Sequence, residues 1–250
     1  FTQLFSVHAF IQRESCLKQV PLVFVLMSRR QKKDYDAVFT HINQLVPNQR
    51  VDAFTLDFEA AAWKSIQDIC PGTSIQGCAF HWGQAVMRKV ANLGLKSTYD
   101  QRKTTHQFIK KLLCLPLLPA AHILPTYQSL RESATTQQLT DLLDYLKQHM
   151  VEQQRLECPA VECFQADSWH RRFIGRAGGD KLHFYRLVPA LKREAETIDI
   201  TVQLVNEQQL TRYQRQTHKK TQQKLEDLWD RYEDKQIKTS VFLDAAGRLI

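Results

Sequence analysis

Apolar residues in the first half of the chain alternate between two periods. "FTQLFSVHAFI" (1–11) and "VPLVFVLM" (20–27) are aromatic and β-branched runs bounded by polar clusters, which predicts two strands. The polar "ESCLKQ" (14–19) between them predicts a hairpin connection. Tyr35, Val38, Phe39, Ile42, Leu45 and Val46 then recur at helical spacing, with Asp34 as a capping candidate and Pro47-Asn48 as the stop. "VDAFTLDF" (51–58) predicts a buried strand. Ala62, Trp63, Ile66 and Ile69 predict the helix after it, closed by Pro71-Gly72. "SIQGCAF" (74–80) predicts a short strand, and a helix from His81 carries Ala85, Val86, Lys89 and Val90 to a stop at Gly94. Residues 1–95 thus read β-β-α-β-α-β-α.

The strand signal ends there. Residues 96–160 are expected to be helical throughout, with Leu139, Leu142, Leu143 and Leu146 marking one amphipathic helix. Residues 165–194 predict helix broken at "GRAGGD" (175–180), and 196–238 predict polar helix around Leu204, Leu225, Leu228 and Trp229. The expected class is α/β, with a mixed sheet flanked by helices and an all-helical insertion. Its expected parts are a core over 1–95, a helical insertion over 96–160, a core-closing helical segment over 161–205 and a polar helical extension over 206–250.

Composition narrows the classes. With 43% hydrophobic and 24% charged residues, the chain has an ordinary globular make-up. A net charge of +8 favours polyanionic or acidic partners, nucleic acid among them, over neutral ones. Six irregularly spaced cysteines do not form a disulfide framework, which points to reduced thiols in the cytosol or nucleus. The nearest approach to a membrane span, "LLCLPLLPAAHILP" (112–125), is short and broken by three prolines, so a buried helix-turn is expected and a membrane partner is not. The chain opens at Phe1 on a strand already under way, which reads as a fragment.

Two acids stand where the third strand meets its helix. Asp57 follows a strand end, where α/β sheets gather functional groups and where oxygen ligands suit a hard divalent cation. Asp57 and Glu59 also stand at a helix N-terminus, where a carboxylate caps. "CAFH" puts Cys78 and His81 on one helical face, as half a zinc site or as a buried thiol beside a hydrogen-bonded imidazole. Cys158 and Cys163 are weak candidates for the other half, so zinc is not expected. From His170 to Arg193 there are seven Lys/Arg and one acid, Asp180, interleaved with Phe173, His183, Phe184 and Tyr185. That pattern suits phosphate contacts, or else a solvated helix face over core aromatics. "HKKTQQK" (218–224) reads as a plain solvated face.

In their order, "FTQLFSVHAF", "VPLVFVLMSRRQKKDYDAVFTHI", "TLDFEAAAWKSI", "GCAFHWGQAVMRKVANLGL", "DSWHRRF" and "LHFYRLVPALKRE" resemble the Mutator-like (MULE) transposase domain, over about residues 1–200. The resemblance implies a ribonuclease-H-like fold whose first strand precedes Phe1. It implies a nuclear enzyme that cuts and joins DNA with Mg²⁺ or Mn²⁺ held by three acids. Asp57 falls on the second acid. Asp167 falls on the third, where the family usually has Glu, and the Asn pair expected upstream is replaced around "ECFQ" (162–165). Asp167 also suits an ion pair with Arg171 one helical turn on. By the same resemblance Cys78, His81 and His170 support the site, and Arg171, Arg172, Arg176 and His81 approach DNA. With the first acid absent and Asp at the third, the resemblance leaves two outcomes open. One is an active transposase; the other is a domesticated, inactive derivative that binds DNA or protein. A homo-oligomer is compatible with both.

Overall fold

The computed structural model describes residues 1–13, 16–47, 50–101, 103–148, 167–179, 182–207 and 216–250. They form an α/β structure, mostly helical, with β-pairing in two small ladders. The chain divides into two compact units, Phe1–Asn48 with Gln165–Gln214, and Gln49–Phe164 with Arg215–Ile250.

In the first unit, β1 (Gln3–Arg13) and β2 (Cys16–Met27) pair antiparallel from Gln3↔Met27 to Arg13↔Cys16. Side chains alternate across the hairpin. Leu4, Phe24 and Leu26 pack on a cluster of Trp169, Phe173, Leu187, Ala190 and Leu191 from α8 (Asp167–Ala177) and α9 (Phe184–Asn206). Phe5 turns the other way, edge-on to Tyr35 at 5.3 Å and Phe39 at 6.0 Å on α1 (Lys32–Leu45). Helices on both faces are the reason the two strands read as nearly continuous apolar runs. Val7 pairs with Val23 and His8 with Pro21, so Leu22 is the extra residue of an irregularity. Pro21, which has no N–H for a ladder, stands beside it.

The polar "ESCLKQ" is largely strand rather than connection, since β2 begins at Cys16. Pairing with Ile11, Gln12 and Arg13 outweighs polarity at this end of the hairpin. Asp34 does cap α1, but from its third position: its Oδ2 accepts the Gln31 N–H at 3.0 Å.

In the second unit, β3 (Ala53–Leu56) and β4 (Ser74–Gly77) pair parallel, linked by α2 (Ala60–Ile69). The predicted buried strand is only half-buried, alternating exposed and intermediate residues, because it is four residues long with β4 as its paired neighbour. Next come α3 (Ala79–Asn92), α4 (Lys96–Asp100), α5 (Thr104–Leu113), a 3₁₀ turn (Leu115–Leu117), α6 (Ala120–Glu132) and α7 (Gln137–Leu146). The described part of 96–160 is therefore helical, as expected. Leu139, Leu142, Leu143 and Leu146 are all buried, and the Thr136 Oγ1 accepts the Leu139 N–H at 3.3 Å to start α7. Leu112, Cys114, Leu115, Leu117, Leu118 and Ile123 are buried too, so the first half of the apolar 112–125 run is core, whereas Leu124 is exposed. No helix among the described residues is long and apolar enough to cross a membrane.

Two buried hydrogen bonds tie these helices: Trp82 Nε1 to the Leu112 carbonyl at 2.9 Å and Tyr127 Oη to the Leu143 carbonyl at 2.8 Å. The C-terminal stretch supplies more than a polar extension. After α10 (Gln216–Glu233), α11 (Thr239–Leu249) buries Phe242, Leu243 and Ala246 in this same core. A Cβ on Gly247 would lie 3.2 Å from the Lys110 Cβ, so glycine lets α11 cross α5 closely.

Candidate functional site

The carboxyl edge of the β3–β4 ladder gathers the chemistry of the second unit. Leu56 and Gly77 are the last paired residues, and Asp57 and Cys78 follow them on adjacent parallel strands. The Cys78 N–H donates to the Leu56 carbonyl at 2.7 Å, carrying the ladder one step further. Both chains then turn into helices, so two helix N-termini and four polar side chains (Asp57, Glu59, Cys78, His81) belong to one edge. This is where parallel α/β sheets place functional groups.

Asp57 is exposed, and its main chain is firmly held. The buried Trp63 donates its indole N–H to the Asp57 carbonyl at 2.6 Å. The Asp57 Oδ1 accepts the Glu59 N–H at 3.2 Å, so Asp57 also closes the turn into α2. Glu59 occupies the N-cap position of α2, but its carboxylate makes no cap bond, and the capping oxygen is that of Asp57. The reason is reach: an Asp side chain two residues upstream returns to the backbone more readily than a longer Glu at the cap itself.

Cys78 is the N-cap of α3, which starts at Ala79, two residues before the predicted start. The thiol is buried, at 3% exposure. Burial pushes it up, but the hydrogen bonds of the His81 side chain and N–H, the imidazole charge and the Phe80 N–H outweigh this and hold it below its ordinary value. The C-x₂-H spacing thus brings a thiol and an imidazole together on the first turn of a helix. The Phe80 ring lies edge-on to His81 at 5.6 Å.

Asp167, His170, Arg171, Arg172 and Arg176 belong to the first unit. Asp167 is the first residue of α8, and His170 and Arg171 lie on the same helix; their side chains are outside the described residues, as are Cys158 and Cys163. Trp169 is buried between Phe173, stacked at 5.0 Å, and Phe24, stacked at 5.5 Å, with the His8 ring edge-on at 4.7 Å. Its indole N–H donates to Glu194 Oε1 at 2.9 Å. Arg172 donates to the same oxygen, and Arg176 stands 3.7 Å from Oε2. Glu194 is 6% exposed. A buried carboxylate so placed is stabilised by its two donors and by the second guanidinium.

Sequence reasoning had passed over Glu194. Its signal was present: Leu187, Ala190, Leu191 and Glu194 fall at i, i+3, i+4 and i+7, so this acid lies on the apolar face of α9. Arg172, predicted for DNA, is engaged by this buried acid, whereas most of the Arg176 side chain remains open to solvent.

Among the described residues, no group of three or more His, Cys, Asp or Glu side chains is arranged to hold a metal ion. Asp57 alone offers one hard oxygen ligand, and Cys78 with His81 a softer pair. No curated protein and no solved structure matches this chain significantly. Residues 2–85, which run from β1 into α3 and include Asp57, Cys78 and His81, match the family model of the MULE transposase domain.

Proposed function

We propose that this chain is part of a MULE-type DNA transposase and that Asp57 is one of the acids at its catalytic centre. The observation that carries the reading is the position of Asp57 within the matched segment. It is an exposed carboxylate on a fixed main chain at the carboxyl end of a parallel strand. The ribonuclease-H-like fold, Asp167 as a further acid, and a nuclear location belong to the same proposal. A bound Mg²⁺ or Mn²⁺ supplies activation of the attacking oxygen and stabilisation of the leaving one. The chain's own contributions are local. Trp63 holds the Asp57 peptide, so the carboxylate starts from a fixed point. Arg176, with Arg171 on the same helix, supplies cations for DNA phosphates, and His81 at the ladder edge is a further DNA contact.

A second reading is a transposase-derived protein that binds DNA or a protein partner without cutting. The observations that favour it are the Asp57 Oδ1 already engaged by the Glu59 N–H, and the absence of a three-ligand cluster among the described residues. Nicking of supercoiled plasmid with Mn²⁺ separates the two. With the full-length protein as parent, the first reading expects nicking and its loss in Asp57→Asn. Equal nicking by parent and variant removes Asp57 from the metal site. DNA binding with no nicking by the parent supports the second reading.

A further inference from the structure

The exposed face of α9 carries features that its packing does not use. Leu187, Ala190, Leu191 and Glu194 face the hairpin and α8. The exposed surface of α9 begins with Phe184, 49% exposed at the margin of the packed face, Tyr185, 88% exposed on the far side, and Val188, 40% exposed between them. Large aromatics this open are costly to leave in water, and contiguous ones mark an interaction surface. The Phe184 ring lies 6.4 Å from Phe1 and edge-on to Tyr185 at 5.6 Å. At 88% exposure the Tyr185 ring is available to a stacking partner.

Charge decides what kind of partner. From His183 to Arg193 the chain has no carboxylate, and Arg186, Lys192 and Arg193 are all exposed. The next acid, Glu194, is buried and bound to Arg172 and Trp169, so it does not offset this face. Lys192 stands 3.9 Å from Glu196, an exposed pair that water screens. The Arg186 guanidinium lies over the turn that ends α8, where a Cβ on Gly178 would be 3.6 Å away. Open aromatic rings beside cations, with Glu196 beside Lys192 as the neighbouring exposed acid, fit an unpaired polynucleotide: bases stack on the rings and phosphates meet the cations.

We propose that the first three turns of α9 bind single-stranded DNA, with Phe184 and Tyr185 as base-stacking rings and Arg186, Lys192 and Arg193 as phosphate contacts. This extends the reading of the chain as a DNA-processing protein by naming unpaired strand as the form held here. It requires neither Asp57 nor a metal.

The test is fluorescence anisotropy of the 250-residue chain with a short labelled oligothymidylate and with a duplex of equal length, in EDTA, across a series of salt concentrations. Because no metal is present, failure of the cleavage reading leaves this result unaffected. The parent is expected to prefer the single strand. Phe184→Ala/Tyr185→Ala is expected to weaken single-strand binding by about tenfold or more while keeping the salt slope. Lys192→Ala/Arg193→Ala is expected to flatten the slope. All five side chains are exposed, so the variants should fold, which far-UV circular dichroism checks. Single-strand affinity within about twofold of the parent in the aromatic variant overturns the proposal, given the usual stacking contribution. Equal loss on the duplex overturns it too. A parent dimer that the aromatic variant abolishes, with DNA binding intact, instead assigns the face to a second copy of the chain.

Discussion

Cys78 and Cys114 are both buried thiols of the same unit, and their surroundings push them in opposite directions. Cys78 stands at the start of α3, beside His81 and the Phe80 N–H, and is held below its ordinary value. Cys114 stands at the end of α5, where burial pushes it up to about 12, with Lys110 pulling weakly the other way. Exposure does not separate them, at 3% and 0%. What differs is the end of the helix and the presence of a donor. An N-terminus and an imidazole favour a thiolate; a C-terminus among leucines does not. Burial therefore sets the cost of a charge, and the neighbours decide whether the group bears it.

The largest effect expected from this contrast is chemical. Relative to an ordinary thiol at 9.0, a value of about 12 leaves Cys114 with roughly a thousandth of the thiolate at neutral pH, and Cys78 has more than the ordinary share. Mass-mapped alkylation by iodoacetamide should therefore modify Cys78 first and Cys114 only through unfolding. Equal rates break the comparison. The same rule, that a buried charge depends on its donors, can be carried to the first unit. Glu194→Ala removes the partner of the Trp169 indole and of Arg172, and should cost about 3 kcal/mol in urea unfolding. Glu194→Gln, which keeps an oxygen for the indole, should cost less. A Glu194→Ala variant as stable as the parent would show that the clasp contributes nothing.

Titration sharpens the contrast further. The lowered Cys78 group contributes stability that is present above the unfolded value near 9.0 and is lost as pH falls through the folded value. The raised Cys114 group contributes stability present below the unfolded value and lost as pH rises toward about 12. The penalty of Cys78→Ala should thus grow as pH climbs toward 9.0, and that of Cys114→Ala should shrink above it. His81→Ala should move the Cys78 thiolate absorbance to higher pH; an unmoved midpoint removes His81 as the cause. The smallest effect is expected at Asp57. Asp57→Ala loses the turn to the Glu59 N–H and should cost about 1 kcal/mol, with Asp57→Asn retaining most of it.

Much of this was legible from periodicity. The hairpin, α1, the β3-α2-β4 unit and the helical run through α7 follow from apolar spacing, and Cys78 meets His81 because i and i+3 share a helical face. Other features depend on long-range placement. Which of Asp57 and Glu59 caps α2 turns on how the backbone leaves β3, and two nearby acids look alike in sequence. Glu194 was hidden by charge: an acid in "LKREAET" suggests solvent until its apolar neighbours are counted on one face. The "VFLDAAGRLI" segment had helical spacing at Phe242, Leu243 and Ala246, but the polar composition around α10 drew attention from it. The Asp167 side chain lies outside the described residues.

The docking of α11 has a consequence for how the second unit is born. Its core joins Trp82, Ile109 and Leu142 to Phe242 and Ala246, which are made about a hundred residues or more later. During synthesis α3, α5 and α7 can assemble only with an apolar face uncovered, and that face waits for a hundred residues of chain, from Leu142 to Phe242, before its lid arrives. A ribosome stalled before Thr239 would hold a nascent chain with its leucines open to chaperones, so α11 determines when this unit stops being a client.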